Sequence, residues 1–194
     1  MPSPNRRAPL LALAVTLGLA PAASGTTLVA RPLDAMIREA DAVALVTTPA
    51  ALVARARWAE GRIVTELDVS VIEALRGELS VGSLTLRLPG GTVGAVTQHL
   101  PGAPAFAPNG TWIVLLRRLP DGAYTVFDLC LGQLPVALDP DTRAPVVRPA
   151  SAAQVTLVPD PRAPVATASS GLQEIPAAGL AVERFAALVR ALPR

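Results

Sequence analysis

Residues 63–71 read IVTELDVSV, and this stretch decides the fold. Glu66, Asp68 and Ser70 alternate with apolar or β-branched residues, and successive side chains of a β-strand point to opposite faces. The alternation therefore predicts a long strand with one dry face and one wet face. The dry face is expected to carry Ile63, Thr65, Leu67, Val69 and Val71.

Segments on both sides of this stretch carry strand signals too. Apolar runs and period-two alternation predict further strands at residues 42–46, 52–58, 84–88, 112–116, 124–127 and 134–138. Asp121-Gly122 predicts a hairpin turn. Six or seven antiparallel strands predict a mainly β chain that folds as a small Greek-key barrel or sandwich. We favour a barrel of five or six strands.

A helix is predicted at each end of the mature chain. The N-terminal one is short and has an apolar face of Leu33, Met36, Ile37 and Ala40. The C-terminal one covers residues 179–192, with an apolar face of Leu180, Val182, Phe185, Leu188, Val189 and Leu192. The chain thus divides into a signal peptide (1–25), a β-barrel domain with its lead-in helix (26–138), a proline-rich segment that wraps the barrel or stays mobile (139–177), and the C-terminal helix (178–194).

Residues 1–25 have the three parts of a secretory signal peptide. Arg6 and Arg7 give a positive start, residues 8–20 are mostly apolar, and small residues follow. Cleavage is expected after Ala22 or Gly25. The apolar stretch is shorter than the roughly 20 residues that a membrane-spanning helix needs, so we expect no membrane anchor after cleavage. The Arg pair also allows a twin-arginine signal, and the mature chain is expected in the periplasm or the medium.

Charge argues against some classes of partner. Of the 17 basic residues, Arg6 and Arg7 would leave with the signal, so 15 would remain to balance the 15 acidic residues. Binding to nucleic acid relies on basic patches that meet phosphates. A neutral mature chain with few aromatic residues is therefore not expected to bind nucleic acid, and the same balance weakens binding to anionic membranes.

Residues able to carry chemistry are few. The single cysteine, Cys130, is predicted to be a buried, inert thiol in an apolar strand, with an intermolecular disulfide as the alternative. The single histidine, His99, cannot build a histidine-rich zinc site, and no H-E-x-x-H or C-x-x-C motif occurs. No metal or cofactor is therefore expected. Asp139 and Asp141 fit a weak calcium site, although a simple turn is favoured.

A pair of carboxylates gives the main catalytic alternative. Glu66 and Asp68 share the wet face of one strand, at a separation comparable to that of glycosidase acids. Exposed strands commonly carry alternating charges of this kind, and no serine lies in a G-x-S-x-G turn. A hydrolase that uses Glu66, Asp68 or His99 is therefore an alternative to a non-catalytic protein.

The long connection at residues 89–110 is the candidate interaction site. It is rich in glycine and proline, and structureless connections of this length in compact domains are often functional. Its sequence Gly90-Gly91-Thr92-Val93-Gly94 lacks the lysine and the helix of a phosphate-binding loop. The residues that we single out in this loop are Gly90, Gly91, Gly94, His99, Pro101 and Phe106.

The order of these signals resembles a group of uncharacterised exported bacterial proteins that carry the pattern V-x-E-x-L-K-G, P-G-G and G-x-P-x-F. Here the matching stretches are residues 71–77, 89–91 and 102–106, with Arg76 in place of the lysine. The strand that leads into Leu75-Arg76-Gly77 also resembles the netrin-like modules of the oligonucleotide-fold type. Such modules occur in the tissue metalloprotease inhibitors, which chelate the protease zinc through an N-terminal cysteine. This sequence lacks a cysteine there, so their chemistry does not transfer.

These observations favour one function and leave two others open. The leading hypothesis is an exported, non-catalytic module that binds a protein or peptide partner. A hydrolase of unknown substrate and a structural protein of the envelope or coat are the alternatives.

Overall fold

The computed structural model describes residues 26–152, 155–159 and 174–193. The predicted signal peptide and its cleavage positions, Ala22 and Gly25, lie outside the described residues. The elements up to the end of the barrel are β1 (Thr26–Ala30), α1 (Leu33–Glu39), β2 (Ala42–Thr47), β3 (Ala54–Ala59), β4 (Arg62–Arg76), β5 (Gly82–Pro89), β6 (Gly91–Val93), β7 (Val96–Gln98), β8 (Thr111–Arg118) and β9 (Tyr124–Val126). The remainder are a 3-10 helix (Leu129–Gly132), β10 (Gln133–Leu138), β11 (Pro145–Val147), β12 (Val155–Pro159), β13 (Leu180–Ala181) and α2 (Val182–Ala191).

Five strands close into a barrel, in the order β8-β2-β4-β5-β9, and β9 pairs back onto β8. The strands β2, β4 and β5 are neighbours, and β8 returns through a long connection to lie beside β2, which is the Greek-key arrangement. The prediction of a small, mainly β barrel with two helices is confirmed. One pairing within the barrel departs from the antiparallel expectation, because β5 and β9 run parallel where Leu86 meets Tyr124; outside the barrel, β1 and β12 are also parallel.

Side chains on the dry face of β4 fill the barrel interior, as the alternation in the sequence predicts. Its dry-face residues Leu67, Val69 and Val71 are buried, whereas Ser70 is exposed. All five barrel strands contribute to this interior cluster, which consists of Ala42, Ala44, Val46, Leu67, Val69, Val71, Leu86, Leu88, Val114, Leu116 and Val126. A barrel of five strands leaves an interior that side chains alone can fill.

A second apolar cluster lies outside the barrel, under the two helices. The predicted apolar face of α1 is buried there together with Phe185 and Val189 of α2. Barrel strand β8 serves both clusters, because its alternate residues Ile113 and Leu115 point outward to the helices. The α2 helix begins at Val182 rather than at residue 179, since Leu180 and Ala181 pair with β11.

Two further sequence expectations are corrected by the fold. The connection at 89–110 is not structureless, because residues 91–98 form the β6–β7 hairpin. Residues 134–138 are not the last strand, because the proline-rich segment contains β11 and β12, which pair with β10 and β1. The valines that flank these prolines supply apolar side chains for pairing; Val147 is fully buried.

The prediction that Cys130 lies in a strand is wrong. Strand β9 ends at Val126, and Cys130 lies in the 3-10 helix, where it is half-buried. The cause is the backbone at Asp128 and Leu129, which both have positive φ angles, of 53° and 54°. Two consecutive left-handed residues end an extended chain, whatever its apolar pattern.

Among the described residues, we find no helix with the length and apolar character needed to cross a membrane.

Candidate functional site

The candidate loop contains a small hairpin beside the start of β4 and directly after the end of β5. Its strands β6 and β7 pair antiparallel, from Gly91 opposite Gln98 to Val93 opposite Val96. Gly94 and Ala95 therefore form a two-residue turn, and Gly94 has the positive φ of 60° that such turns require. A Cβ atom added at Gly94 would meet no heavy atom within 4 Å, and Gly94 and Ala95 are both exposed. The tip of the hairpin thus projects into solvent.

The base of the hairpin is fixed to the barrel by hydrogen bonds around Ile63. The Gly90 N–H donates to the Ile63 carbonyl oxygen at 2.9 Å, and the Ile63 N–H donates to Gln98 Oε1 at 2.8 Å. The Thr65 hydroxyl donates to the Gly90 carbonyl oxygen at 2.7 Å. Because both ends of the hairpin are tied to one barrel strand, its orientation is set by the barrel.

Gly91 lies tightly against the β3–β4 pair. Its φ is 132°, and a Cβ atom there would overlap the Thr65 hydroxyl and lie 3.1 Å from the Ala56 Cβ. Close backbone approach of this kind needs glycine. The hairpin therefore covers the dry face of β3 and β4, and it buries Ile63 completely.

Together with β3, the hairpin forms a projecting structure that we call the arm (β3, β6 and β7). Large apolar side chains are exposed on it: Trp58 is 51% exposed and Val96 is 50% exposed. The hydroxyls of Thr92 and Thr97 lie 2.9 Å apart on the exposed side of the hairpin. His99, directly after β7, is exposed as well. Exposed apolar side chains that form a continuous patch are typical of interaction surfaces.

The other residues of the candidate loop are built into the fold. Gly90 is buried, and Pro101 is half-buried. Phe106 packs against the interior cluster and meets Trp112 edge-to-face, with ring centroids 5.4 Å apart. Of the six residues singled out from the sequence, the structure therefore exposes Gly94 and His99.

A cavity of about 320 Å³ lies where this packed part of the loop meets β10. Its walls include Trp112, Cys130 and Gln133. The Cys130 N–H donates to the Gly102 carbonyl oxygen at 2.9 Å, which fixes the thiol beside the loop. Burial raises the pKa of the Cys130 thiol, so the reactive thiolate is disfavoured.

The carboxylates Glu66 and Asp68 are held in ion pairs on the wet face of β4. Glu66 accepts two hydrogen bonds from Arg57, at 3.0 and 2.7 Å, and these bonds lower the pKa of Glu66. Asp68 accepts from the Thr85 hydroxyl at 2.6 Å and from Arg55 at 2.7 Å, and its pKa is lowered for those reasons. A general acid needs a raised pKa. Both groups are thus held as ionised partners of arginine.

The structure does not bring the proposed hydrolase residues together. Glu66 and Asp68 lie on the wet face of β4, whereas the hairpin that leads to His99 packs on the dry face. Glu66, Asp68 and His99 line none of the cavities at β10, at α1, at α2 and near Tyr124. These cavities therefore give the hydrolase alternative no shared pocket.

Asp139 and Asp141 form a turn. Asp139 Oδ1 accepts hydrogen bonds from the Asp141 N–H at 3.1 Å, the Thr142 N–H at 2.9 Å and the Thr142 hydroxyl at 3.0 Å. The bonds from Thr142 are the main cause of the lowered pKa of Asp139. Within the described residues, we find no group of three or more His, Cys, Asp and Glu side chains arranged to hold a metal ion.

One signal for the arm was present in the sequence and another was not. The run Thr92-Val93-Gly94-Ala95-Val96-Thr97 is symmetric about a glycine-containing pair, which is a hairpin pattern. The bond from Ile63 to Gln98 has no local signal, because its partners are 35 residues apart. The anchoring of the hairpin therefore follows only from the closed barrel.

The fold and the arm define a class of protein: a five-stranded Greek-key barrel with two flanking helices and a rigid projecting hairpin. Comparison with known proteins finds no matching family model, no matching curated protein and no matching solved structure.

Proposed function

We propose that this chain is an exported, non-catalytic module that binds a protein or peptide partner through the arm. The observation that carries the proposal is the hairpin itself: its base is tied to Ile63 and Thr65, while its tip exposes Val96. Pre-organised surfaces lose little conformational entropy when they bind. A hairpin that is anchored at its base and exposes an apolar side chain near its tip is better suited to recognition of a partner than to packing within the fold.

Export is part of the same proposal. Its support is the N-terminal sequence, where Arg6 and Arg7 precede an apolar run and small residues at Ala22 and Gly25. Mass spectrometry of the protein recovered from periplasm and medium tests this part. A mature chain that begins at residue 23 or 26 is expected. Recovery of the intact N-terminus from the cytosol alone would contradict export.

Two further parts of the proposal rest on architecture and charge. The Greek-key order of the barrel is compatible with the netrin-like resemblance, and fold likeness of that kind carries no activity with it. The balance of arginines and acidic residues after loss of Arg6 and Arg7 supports a protein or peptide partner over nucleic acid.

The test replaces residues 92–97 with Asn-Gly. Gly91 and Gln98 stay in place, so a two-residue turn can close the shortened hairpin and the anchor to Ile63 is kept. Partners are captured by chemical cross-linking to the tagged chain in the native envelope fraction, followed by mass spectrometry. The wild type is expected to cross-link to a discrete partner, and the shortened hairpin is expected to lose it with an unchanged melting temperature.

A matched pair of single substitutions controls for surface hydrophobicity. Val96→Ser removes an exposed apolar residue from the arm, and Val81→Ser removes one, 70% exposed, from the connection between β4 and β5. Only Val96→Ser should weaken the cross-link. Equal recovery of the partner by the shortened hairpin and the wild type would refute binding through the arm.

A further inference from the structure

We propose that the arm binds its partner by strand addition: an extended peptide with alternating acidic and apolar residues pairs antiparallel with the free edge of β3. This inference rests on the proposed function and names the chemistry of the ligand. Three observations carry it: the direction of the β3 backbone groups, the lack of a covering strand among the described residues, and the placement of Arg55, Arg57 and Trp58.

The direction of the backbone groups follows from Ile63. In an antiparallel pair, residues alternate between exchanging hydrogen bonds with the partner strand and pointing their N–H and C=O away from it. Ile63 uses both groups on the hairpin side, with Gln98 and Gly90. Its partner in β3 is Trp58. The Trp58–Ile63 pair is therefore of the non-bonded type, and the backbone groups of Trp58 point away from β4.

The same alternation applies along the whole of β3. Its register with β4 is continuous from Ala54 to Ala59, without a bulge. Ala54 and Ala56 therefore present their N–H and C=O groups outward, as Trp58 does. Within the described part of the chain, β3 pairs with β4 alone. These three residues therefore have outward N–H and C=O groups without a strand partner in that part of the chain, and an added extended peptide can form hydrogen bonds with them.

The side chains of β3 specify which peptide fits. Arg55 and Arg57 are 53% and 46% exposed and lie on the wet face, and among the described residues Arg55 forms an ion pair with Asp68 and Arg57 with Glu66. Acidic residues placed opposite them on an added strand would form cross-strand ion pairs. On the other face, the added strand would run beside Trp58, where apolar residues gain contact with the indole ring.

A second copy of the chain is the less suitable occupant. Antiparallel pairing of two β3 edges, centred on Ala56, would place Arg55 of one copy opposite Arg57 of the other. Like charges directly opposite each other destabilise a strand pair. Charged residues on an edge strand are a known means of preventing self-pairing. The arginines therefore disfavour a homodimer and favour an acidic peptide.

The test uses a synthetic probe, acetyl-Val-Glu-Val-Glu-Val-Glu-Val-amide, titrated into the full exported chain. Binding is measured by calorimetry and by a blue shift of Trp58 fluorescence, which should disappear in Trp58→Phe. Replacing the three glutamates of the probe with lysines should weaken binding by about tenfold or more, because ammonium groups would then face Arg55 and Arg57.

N-methylated probes provide the matched control, and they leave the protein unchanged. Residues of the probe that lie opposite Ala54, Ala56 and Trp58 must exchange hydrogen bonds with β3, and these are the valines when the glutamates face the arginines. Methylation of the internal valine amides should therefore weaken binding by about tenfold or more. Methylation of the glutamate amides, which would point to solvent, should leave the affinity within about twofold.

Ala54→Pro tests the protein side. Proline is tolerated at the first residue of an edge strand, and this one removes only an outward N–H. Weaker probe binding with an unchanged melting temperature is expected. Equal loss of affinity with both methylated probes, or no probe binding at all, would overturn strand addition. If partner capture still depends on the hairpin in that case, the proposed function stands and only strand addition fails. If partner capture does not depend on the hairpin, the proposed function and strand addition both fail.

Discussion

Gln133 and Ala105 exchange two hydrogen bonds across the cavity wall. Gln133 Nε2 donates to the Ala105 carbonyl oxygen at 2.7 Å, and the Ala105 N–H donates to Gln133 Oε1 at 3.1 Å. The Gln133 side chain thus imitates a backbone strand. With Gln133 only 7% exposed, the pair fixes the second half of the loop to β10. The arm and this packed part are therefore separate units of one loop.

Gln133→Ala is expected to lower the free energy of unfolding by about 2 kcal/mol. The substitution removes two hydrogen bonds and truncates the buried Gln133 side chain, so the N–H and carbonyl of Ala105 lose these partners. Urea denaturation measures the change. Thr97→Ala, at an exposed hairpin position, is the control and should cost less than about 0.5 kcal/mol. Equal stability of the two variants would show that the Gln133 pair does not fasten the loop.

Gly91→Ala should destabilise the protein by about 2 kcal/mol more than Gly94→Ala. Both glycines have positive φ angles, so both variants carry backbone strain of about 1–2 kcal/mol. Only at Gly91 would the added Cβ also overlap Thr65. Thermal unfolding of the two variants separates the cost of overlap from that of strain. If Gly94→Ala is the more harmful, the hairpin does not pack on β4 as described.

The ion pairs on the wet face predict that the free energy of unfolding falls at acidic pH. The pKa values of Glu66 and Asp68 are lowered in the folded chain. Their stabilisation is therefore fully present above the unfolded carboxyl pKa of about 4, and it is lost as the pH falls through the lower folded values. Because the pairs are partly exposed, screening by solvent keeps each contribution small.

Glu66→Gln tests this dependence. At pH 7 the variant should lose about 1 kcal/mol of unfolding free energy, and its stability should fall less steeply than that of the wild type between about pH 5 and pH 2. The measurement is urea denaturation across that range. Glu78→Gln is the control, since Glu78 forms no ion pair with the described residues. If the unfolding free energies of Glu66→Gln and the wild type fall in parallel with pH, the ion pair of Glu66 does not stabilise the fold as proposed.

The barrel was predictable because its signals are local. Alternation in residues 63–71 and the apolar runs of β2 and β8 each mark a strand within a few residues. The turn at Asp121-Gly122 was predictable for the same reason. The order of strands in the closed sheet could not be predicted from local signals, which left a barrel and a sandwich as alternatives. The reason is that pairs such as β2 with β8 join residues far apart in the chain.

The details of the site were less predictable, because they depend on contacts between distant residues. Cys130 looked like a strand residue by its leucine neighbours, yet the left-handed backbone at Asp128 and Leu129 decides its position. The glycines of the loop suggested a structureless connection, whereas Gly91 serves close packing on Thr65. The exposed edge of β3 follows from the absence of a neighbouring strand among the described residues, which no local pattern encodes.

Amide hydrogen exchange along β3 is the most direct test of the arm as an open binding edge. In the free chain, the amides of Arg55, Arg57 and Ala59 should exchange slowly, because they bond to β4, and those of Ala54, Ala56 and Trp58 should exchange rapidly. Addition of the Val-Glu probe should slow the second set alone. Slow exchange of all six amides in the free chain would mean that the edge of β3 is already covered, and it would contradict binding of a peptide at this edge.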